Sequence, residues 1–373
     1  MKRGLGRPTK TPHQPNMIIL GIESSCDDTS VALLDCSDQG CVVLSEKTAS
    51  QIEIHKKYGG VVPEIAGRMH AEKIIPLIEE VIKDQPKPEA IAVTAGPGLI
   101  TGLIVGVEAA RTLACVWDIP LIATNHLQGH AYSVELTMGQ KIEYPAIALI
   151  VSGGHTEIVK MDHAGDYQVL GATKDDAAGE CFDKVAKLLD LPYPGGPQIS
   201  QLAQNGKINA VPMPRPMIKE NNFDFSFSGL KTAALYWLQK NKLAATNQMS
   251  ISKIFSWLPG SWSMSGEPIT RADFCASFEQ TIVDVLAYKT LCAVEKNQPK
   301  TLILAGGVSA NKKLREILQK NINDNFPNTK FLCPQLKYCM DNAAMIAVAG
   351  YYQSQKGNYT AWEKIKADPN WHL

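Results

Sequence analysis

The sequence predicts an α/β fold with mixed sheets, in which one α/β unit occurs twice. A β-hairpin with a small polar tip opens each half of the chain, first over residues 17–35 and again over residues 146–161. Between and after the hairpins, short apolar runs alternate with longer segments of helical periodicity. The length of 373 residues also exceeds the roughly 250–300 residues at which a single core stops growing. These features together indicate a duplicated, two-lobe protein.

The first half begins with three predicted strands. Residues 17–21 and 31–35 are apolar and flank the polar tip at 22–30, and residues 42–48 form a third strand. Apolar side chains at mostly helical spacing predict a helix over residues 63–83. The rest of this half alternates between strand 90–94, helix 102–116 and strand 121–124.

One stretch of the first half is uncharged and long enough to consider as a membrane span, namely residues 90–107. Its glycines and proline argue against a continuous helix; they are Gly96, Pro97, Gly98, Gly102 and Gly106. We interpret the stretch as a strand, a tight turn and the start of a buried helix, and we expect no association with a membrane.

The second half repeats the hairpin and continues with helices. Residues 146–151 and 157–161 are its strands, and residues 167–174 follow as a third strand. A segment poor in charge, about 243–270, reads as a variable surface insertion. The other predicted elements are helix 177–189, a rigid loop at 192–197, a helix from 199, helix 272–294, strand 301–305, a turn at 306–311 into a further helix, an extended segment at 332–336 and helix 341–352.

These elements set the predicted boundaries: an N-terminal extension at 1–16, a first lobe at 17–135, a second lobe at 136–352 and a C-terminal tail at 353–373. The extension has four basic residues and no acid, but its prolines prevent an amphipathic helix and no apolar region follows it. We interpret it as a disordered extension. We expect a cytoplasmic protein, with the mitochondrion as the less favoured alternative.

Charge and cysteine content narrow the class of protein. The net charge is zero and the pI is about 7.1, so no molecule-wide basic field favours nucleic acid and only local patches remain. The nine cysteines include no C-x-x-C pair, which argues against a disulfide framework and for a reducing compartment. We interpret Cys36 and Cys41 as strand and turn residues.

Two histidines four residues apart, His126 and His130, are the first candidate site. On a helix their side chains project from one face about 5–6 Å apart, which suits a single metal ion. The zinc-protease motif requires Glu directly after the first histidine, where this chain has Leu127. From the spacing alone, two polar residues on a helix surface explain the pair better.

Glycine-rich turns form the second candidate site. Residues 152–156 (SGGHT) can bring backbone N–H groups close to a phosphate, because glycine has no Cβ. The turns at 94–98 and 306–307 also follow strands and precede helices, where anions bind helix N-termini. Each turn alone is explained as an ordinary turn, but together they favour a nucleotide pocket. The chain has no G-x-x-x-x-G-K-[ST] motif, which excludes a P-loop.

Two aspartates each have two interpretations. Asp183 lies one helical turn after Gly179 and suits ribose hydroxyls, or else it belongs with Lys184 and Lys187 to a solvated face. Asp341 precedes a predicted helix, where capping is the simpler interpretation.

Taken in chain order, the motifs carry a resemblance to a known family. They are residues 21–29 (GIESSCDDT), 55–64, 94–98, 125–130 (NHLQGH), 151–156 (VSGGHT), 175–184, 193–197 (YPGGP), 225–231 (FSFSGLK), 305–311 and 340–343. This series resembles the TsaD family of tRNA N6-adenosine threonylcarbamoyltransferases, once described as O-sialoglycoprotein endopeptidases. The resemblance covers residues 17–352.

The resemblance implies both a fold and a reaction. The fold is actin-like (ASKHA), with two duplicated lobes, mixed sheets and a central nucleotide cleft. In the reaction, threonylcarbamoyl-AMP donates its threonylcarbamoyl group to N6 of adenosine 37 in tRNAs reading ANN codons, and AMP is released.

The resemblance also implies roles for individual residues. His126, His130 and Asp341 match the family's ligands for one divalent metal ion, Fe²⁺ or Zn²⁺. The residues that match its substrate-nucleotide contacts are Ile150, Val151, Ser152, Gly153, Gly154, Asp183, Gly196 and Asn311. Two positions depart from the family's pattern. Ser200 stands where many members have a ribose-binding acid, and Asp28 stands where many have Glu.

The implied chemistry is coherent. The N6 lone pair of adenine is delocalised, so the carbamoyl group must be activated. An open two-histidine, one-aspartate metal site can polarise its carbonyl, and backbone N–H groups at 152–154 can hold the phosphate. Asp27 and Asp28 are candidates for the general base.

The resemblance implies tRNA as the partner. It also implies a TsaB-like paralogue and a TsaE-like ATPase in bacteria, or a homodimer in an organelle. Two other functions stay open. An ATP-dependent kinase or ATPase on the same fold would need no histidine pair, and a non-catalytic scaffold would have lost His126, His130 or Asp341. The older protease description is opposed by Leu127.

Overall fold

The computed structural model describes residues 16–241 and 269–373. The predicted extension at 1–16 and the predicted insertion at 243–270 fall almost entirely outside these ranges, so both stay predictions.

The first half forms a five-stranded mixed sheet in the order β3-β2-β1-β4-β5. Strands β1 to β3 are antiparallel, whereas β4 and β5 run parallel to β1. The strands are β1 Met17–Glu23, β2 Asp28–Ser37, β3 Gly40–Ser50, β4 Ala90–Gly96 and β5 Leu121–Asn125. The helices are α1 Ile52–His55, α2 Pro63–Ile82, α3 Ile100–Trp117 and α4 His126–Tyr132.

The second half repeats this arrangement. Its sheet has the order β10-β9-β6-β7-β8, with β6 antiparallel to β7 and parallel to β9. The strands are β6 Ala146–Val151, β7 Thr156–Met161, β8 Gln168–Ala172, β9 Thr301–Ala305 and β10 Lys330–Leu332. The helices are α5 Ala178–Leu188, α6 Gly195–Ala203, α7 Ser228–Lys240, α8 Arg271–Asn297, α9 Lys312–Asn325 and α10 Ala343–Gln355. The predicted duplication with mixed sheets is therefore confirmed.

A shared core joins the two sheets. One buried cluster combines side chains of both sheets with those of α4 and α10. Helix α10 contacts β1, β2, β4 and β5 of the first sheet, although the predicted boundaries group it with the second lobe. Gly21 on β1 allows this contact, because a Cβ there would overlap the carbonyl oxygen of Ala343. The start of α10 is thereby held close to the end of β1.

The uncharged stretch at 90–107 is strand β4, a turn and the start of α3, as predicted. Among the described residues, α3 is the one helix with the length and hydropathy of a membrane span. It packs on α2 and β4 within the first half.

Two local predictions were wrong. Helix α6 begins at Gly195, so residues 195–197 of the predicted rigid loop form its first turn. This start is stabilised by Asp183, which accepts a 2.7 Å hydrogen bond from the N–H of Gly195. Cys36 and Cys41 are not unpaired strand and turn residues; they face each other across the β2–β3 hairpin and form a disulfide.

The residues after α10 return along the first sheet. Thr360 bridges to Leu121 on β5, and the N–H of Asp368 donates to the carbonyl of Ala95 at 2.7 Å. The carbonyl of Trp371 accepts a 3.0 Å hydrogen bond from the side chain of Asn125. The predicted tail thus packs beside the residues that precede α4.

Candidate metal centre and nucleotide cleft

Helix α4 starts immediately after strand β5 and positions both histidines. Asn125 caps it, because its side-chain oxygen accepts a 2.8 Å hydrogen bond from the N–H of Leu127. All seven residues of the helix are buried. The rings of His126 and His130 lie 4.6 Å apart, edge to face, on one side of the helix. The predicted pair is therefore inside the protein and not on a helix surface.

Asp341 approaches the same point from the other end of the chain. Its Oδ1 lies 3.4 Å from Nε2 of His126 and 3.2 Å from Nε2 of His130. One ligand atom from each residue lies within 4.8 Å of the others. The helix cap is the neighbouring Asn342, whose side chain accepts from the N–H of Met345 at 2.9 Å. Asp341 is thus free of the capping role that was its simpler interpretation.

Glu23, at the end of β1, is a buried acid beside this cluster. Its Oε2 lies 2.9 Å from Nδ1 of His126 and accepts a 2.7 Å hydrogen bond from Thr94. Its Oε1 accepts a 2.6 Å hydrogen bond from the N–H of Ser25. Because a carboxylate can only accept, Nδ1 of His126 carries a proton, and Nε2 is the ring nitrogen that faces Asp341. Metal-binding histidines commonly donate to a carboxylate in this way.

The charged groups of this site shift one another's pKa values. Burial alone would raise the pKa of Asp341, but the two histidines hold that pKa far below its usual range. Burial opposes charge on His126 as well, yet Asp341 and Glu23 raise its pKa well above normal. Burial lowers the pKa of His130, which favours the neutral imidazole that metals bind.

These residues suit a divalent metal ion. Both ring nitrogens of His130 are buried and make no hydrogen bond with any described residue, although Nε2 is close to Asp341. An orphaned buried imidazole is costly unless something else coordinates it. Two imidazoles and one carboxylate form a donor set typical of zinc or iron. Asp341 remains 22% exposed at its side chain, so one side of the cluster is open.

Asp27 and Asp28 lie at the tip of the first hairpin, next to the cluster. Burial, opposed by a hydrogen bond with Ser50, raises the pKa of Asp28 to about 7. Its Oδ1 is buried and has no hydrogen-bond partner among the described residues. Burial also raises the pKa of Asp27, and the charge of Asp341 adds to the effect. The hairpin therefore brings both predicted base candidates close to Asp341.

The turn after β6 exposes two glycines to solvent. Gly153 and Gly154 are exposed, and a Cβ at either would meet nothing within 4 Å. Their N–H groups donate no hydrogen bond to any described residue. The side chains of Ile150 and Val151 are fully buried in two different cores, so a substrate can meet only their backbone.

His155 closes the same turn. The carbonyl of His155 accepts a 2.8 Å hydrogen bond from the N–H of Ser152. Burial and the charges of His126 and His130 lower the pKa of His155 to about 4. The glycine turn therefore ends in a neutral imidazole whose pKa is affected by the two histidines of the candidate metal site.

Asp183 and Gly196 meet in the second lobe. Asp183 accepts hydrogen bonds from the N–H groups of Gly195 and Gly196, and it belongs to no solvated face with Lys184 and Lys187. Burial raises its pKa to about 6, and the nearby charge of Asp27 adds to this shift. Asp183 therefore lies close enough to Asp27, at the tip of the first hairpin, for the charge of Asp27 to affect it.

Asn311 is held in a network that includes Ser200. Its side-chain oxygen caps α9 through the N–H of Leu314, and its side-chain nitrogen donates to Glu279 at 2.7 Å. Ser200 also donates to Glu279, at 2.6 Å. A nearly buried acid, Glu279 on α8, therefore contacts Ser200, the position where many members of the family have an acid.

No role was predicted from the sequence for three residues of this region, which are Glu23, His155 and Glu279. Glu23 and His155 lie inside motifs that were recognised, but nothing local shows which motif residue turns toward the histidines. Glu279 sits on a long helix, where an acid ordinarily faces solvent. Its burial beside Ser200 depends on packing between α6 and α8.

Comparison with solved structures supports the fold. A full-length HypF in a phosphate- and nucleotide-bound form superposes with a TM-score of 0.56 at 13% identity, covering 95% of this chain and 48% of that one. HypF from T. kodakarensis gives a TM-score of 0.57 at 13% identity, covering 95% of this chain and 50% of that one. These likenesses agree with the actin-like duplicated fold that the motifs implied.

Comparison with sequence families is more specific. Residues 42–348 match the family model described as TsaD, tRNA N6-adenosine threonylcarbamoyltransferase. Enzymes with that name from Bacillus licheniformis and Bacillus subtilis are 45% and 43% identical to this chain. The first alignment covers 92% of this chain and 94% of its relative, and the second covers 94% of both. The chain therefore belongs to the TsaD family of tRNA N6-adenosine threonylcarbamoyltransferases.

Proposed function

We propose that this protein transfers the threonylcarbamoyl group from threonylcarbamoyl-AMP to N6 of adenosine 37 in tRNAs reading ANN codons, forming t⁶A and releasing AMP. Its family membership supports the reaction class. The observation that carries the proposal is the convergence of His126, His130 and Asp341 where the two sheets meet, with an open glycine turn beside them.

We assign His126, His130 and Asp341 as ligands of one divalent ion, Fe²⁺ or Zn²⁺. When bound, such an ion supplies a Lewis acid for the carbamoyl oxygen. Glu23 orients His126, and the partly exposed Asp341 leaves one side of the site open. The donor is therefore bound with its carbamoyl end toward the first lobe and its nucleotide toward the second.

The glycine turn is assigned to the phosphate of the donor. The N–H groups of Gly153 and Gly154 are unpaired among the described residues, and Ser152 is fixed by its hydrogen bonds with His155. As N6 attacks the carbamoyl carbon, the bond from that carbon to the phosphate oxygen breaks and its electron pair passes to the phosphate. Preorganised N–H donors stabilise the growing charge.

Asp28 is assigned as the base that accepts the proton lost from N6. Its pKa of about 7 matches neutral conditions, and its Oδ1 lacks a partner within the described chain. Asp27 is the second candidate, since it is less buried. The ribose of the donor is assigned to the second lobe, near Asp183, Gly196 and Asn311.

We propose that the protein works in the cytoplasm with tRNA, a TsaB-like paralogue and a TsaE-like ATPase. The support is that the similar enzymes named above are bacterial. A mitochondrial homodimer is the alternative.

The deciding experiment supplies purified protein, its bacterial partners, threonylcarbamoyl-AMP and unmodified tRNA, followed by nucleoside analysis. We expect t⁶A and AMP in equal amounts with the wild type and neither with His126→Ala/His130→Ala. No t⁶A from the wild type would reject the transferase. The kinase or ATPase alternative predicts that the double variant keeps full phosphoryl transfer. The scaffold alternative is disfavoured, because all three ligand candidates are present and adjacent.

A further inference from the structure

We propose that a basic aromatic loop, residues 56–60 (KKYGG), forms part of the tRNA-docking surface, with Tyr58 stacking on a base and Lys57 and Lys187 contacting phosphates. This inference rests on the proposed function, because it names where the nucleic-acid substrate binds. No motif assigned above to the metal, the donor or the base uses these side chains.

The loop presents an uncovered aromatic ring between cations. Tyr58 is 57% exposed, and Lys56 and Lys57 beside it are exposed as well. Lys56 forms a long contact of 3.6 Å with Glu53, whereas Lys57 and Lys187 form no ion pair with any described residue. An exposed aromatic ring flanked by free cations matches a nucleic acid, since bases stack on aromatic rings and lysines neutralise phosphates.

The buried residue His55, which precedes the loop, holds it in place. His55 is fully buried; its Nδ1 accepts from the N–H of Val62 at 3.2 Å, and its Nε2 lies 3.1 Å from Oε1 of Gln51. The segment Lys56–Tyr58 is a 3₁₀ turn, and Gly59 ends it in the left-handed conformation with φ of 69°. Because its backbone is already fixed, such a turn loses little backbone freedom when a partner binds.

The loop lies between the tip of the first hairpin and helix α5. The N–H of Gln51 donates to the carbonyl of Asp27 at 3.2 Å, so the segment is attached to the hairpin tip that carries the base candidates. On its other side, a Cβ at Gly59 would lie 3.6 Å from Nζ of Lys187. Lys187 is on α5, one helical turn after Asp183. The loop therefore spans from the first lobe to the donor side of the second.

Position and charge together favour tRNA over a protein partner. Under the proposed function, adenosine 37 must reach the base candidates Asp27 and Asp28, so the surrounding anticodon loop has to contact the segment attached to that hairpin tip. Because the whole chain has zero net charge, phosphate binding depends on local cations such as these.

The test measures tRNA affinity and the KM for tRNA with the full-length protein and its partners, using unmodified tRNA. We expect Tyr58→Ala to weaken binding by about 5- to 100-fold, the range for one lost base stack. Tyr58→Phe keeps the ring and should bind like the wild type. Lys57→Ala and Lys187→Ala should each lower the salt dependence of binding by roughly one phosphate contact.

Two remote variants serve as controls. Tyr288→Ala removes a ring that is 51% exposed on α8, and Lys330→Ala removes an exposed cation on β10; both should leave tRNA affinity unchanged. The KM for threonylcarbamoyl-AMP should stay the same in Tyr58→Ala.

The outcomes separate this inference from the proposed function. If the wild type forms t⁶A while Tyr58→Ala binds tRNA as tightly as the wild type, the docking surface is wrong and the transferase stands. The docking surface would also be wrong if Tyr58→Ala stopped binding a protein partner while its tRNA affinity stayed unchanged. If the wild type forms no t⁶A, the proposed function itself fails.

Discussion

Glu23 and His126 are 103 positions apart in the chain, and their side chains meet at 2.9 Å between Oε2 and Nδ1. Glu23 lies at the end of the first strand and His126 at the start of a buried helix. Burial would raise the pKa of Glu23, but the charge and hydrogen bond of His126 lower it, so the acid stays ionised. This contact fixes which nitrogen of His126 faces Asp341.

The first prediction concerns this contact. Glu23→Gln removes the carboxylate but keeps a similar shape, so His126 should lose its fixed orientation and metal affinity should fall by about 10- to 100-fold. Metal content of the purified variant and titration with Co²⁺, followed by its visible spectrum, measure the effect directly. As a control, Asp284→Asn on α8 breaks an ion pair with the loop residue Arg215 and should leave metal binding intact. Equal metal affinity in Glu23→Gln and the wild type would contradict the orienting role.

The second prediction distinguishes the metal-ligand role of Asp341 from the helix-capping role of the adjacent Asn342. Asp341→Asn should abolish stoichiometric metal binding, because the negatively charged ligand is lost. Asn342→Ala should keep the metal and lower the free energy of unfolding by about 1 kcal/mol, the usual value of an N-cap. Elemental analysis and chemical denaturation distinguish the two variants. The assignment is wrong if the metal is lost in Asn342→Ala and retained in Asp341→Asn.

The third prediction is a pH dependence of catalysis. Since the pKa of Asp28 is raised to about 7, the fraction of ionised base and the single-turnover rate should increase as the pH rises through 7. Asp28→Asn should lower the rate by about 10²- to 10⁴-fold, the range for general-base catalysis. Rates measured between pH 5.5 and 8.5 with saturating donor test this. A rate that is flat across that range would assign the base elsewhere.

The carboxyl of Asp28 should also affect stability. Stability should decrease as the pH rises, whereas the catalytic rate should increase. The folded protein holds the Asp28 proton more tightly than the unfolded chain, whose pKa is near 3.8. Stability is therefore lost as the pH rises from about 4 through about 7. Asp28→Asn should raise the Tm relative to the wild type at pH 8 and change it little at pH 4. A lower Tm of the variant at pH 8 would show that the charged form is not penalised.

The fourth prediction concerns the backbone behind the phosphate turn. A Cβ at Gly179 would lie 2.5 Å from the carbonyl oxygen of Ser152 and 2.9 Å from Cα of Gly153, so Gly179→Ala must displace the turn. We expect the KM for threonylcarbamoyl-AMP to increase by roughly tenfold, in line with the cost of overpacking. Gly229→Ala is a matched control, because Gly229 is also the second residue of a helix and a Cβ there meets nothing within 4 Å. Similar KM values in the two variants would count against the phosphate assignment.

The strands and most helices were predictable because their apolar patterns are local. The hairpin strands at 17–35 and 146–161 were located within a few residues, since their apolar, mostly buried runs and polar tips lie in one continuous segment. The start of α6 was missed because the group that stabilises it, Asp183, belongs to a different helix. A cap supplied from elsewhere leaves no signal beside the helix it caps.

In the candidate site, too, the features set by neighbouring residues were predictable and those set by distant residues were not. Spacing showed that His126 and His130 share a helix face, but not that this face is buried. Asp341 became a candidate ligand only through the family resemblance, because nothing near it in the sequence marks it. Glu23 was missed altogether, since its partner is distant and a motif of small polar residues does not show which one turns inward.

The docking of the chain's last residues has a consequence for biosynthesis. Asn125 caps the helix of the two histidines, and it also donates a hydrogen bond to Trp371, 246 residues later. Helix α10, which follows Asp341, contacts all five strands of the first sheet. A ribosome therefore completes the strands of the first sheet long before it makes the helix that covers them. The nascent first lobe must keep an uncovered apolar face until α10 has been made, and the candidate metal site can only assemble after that point.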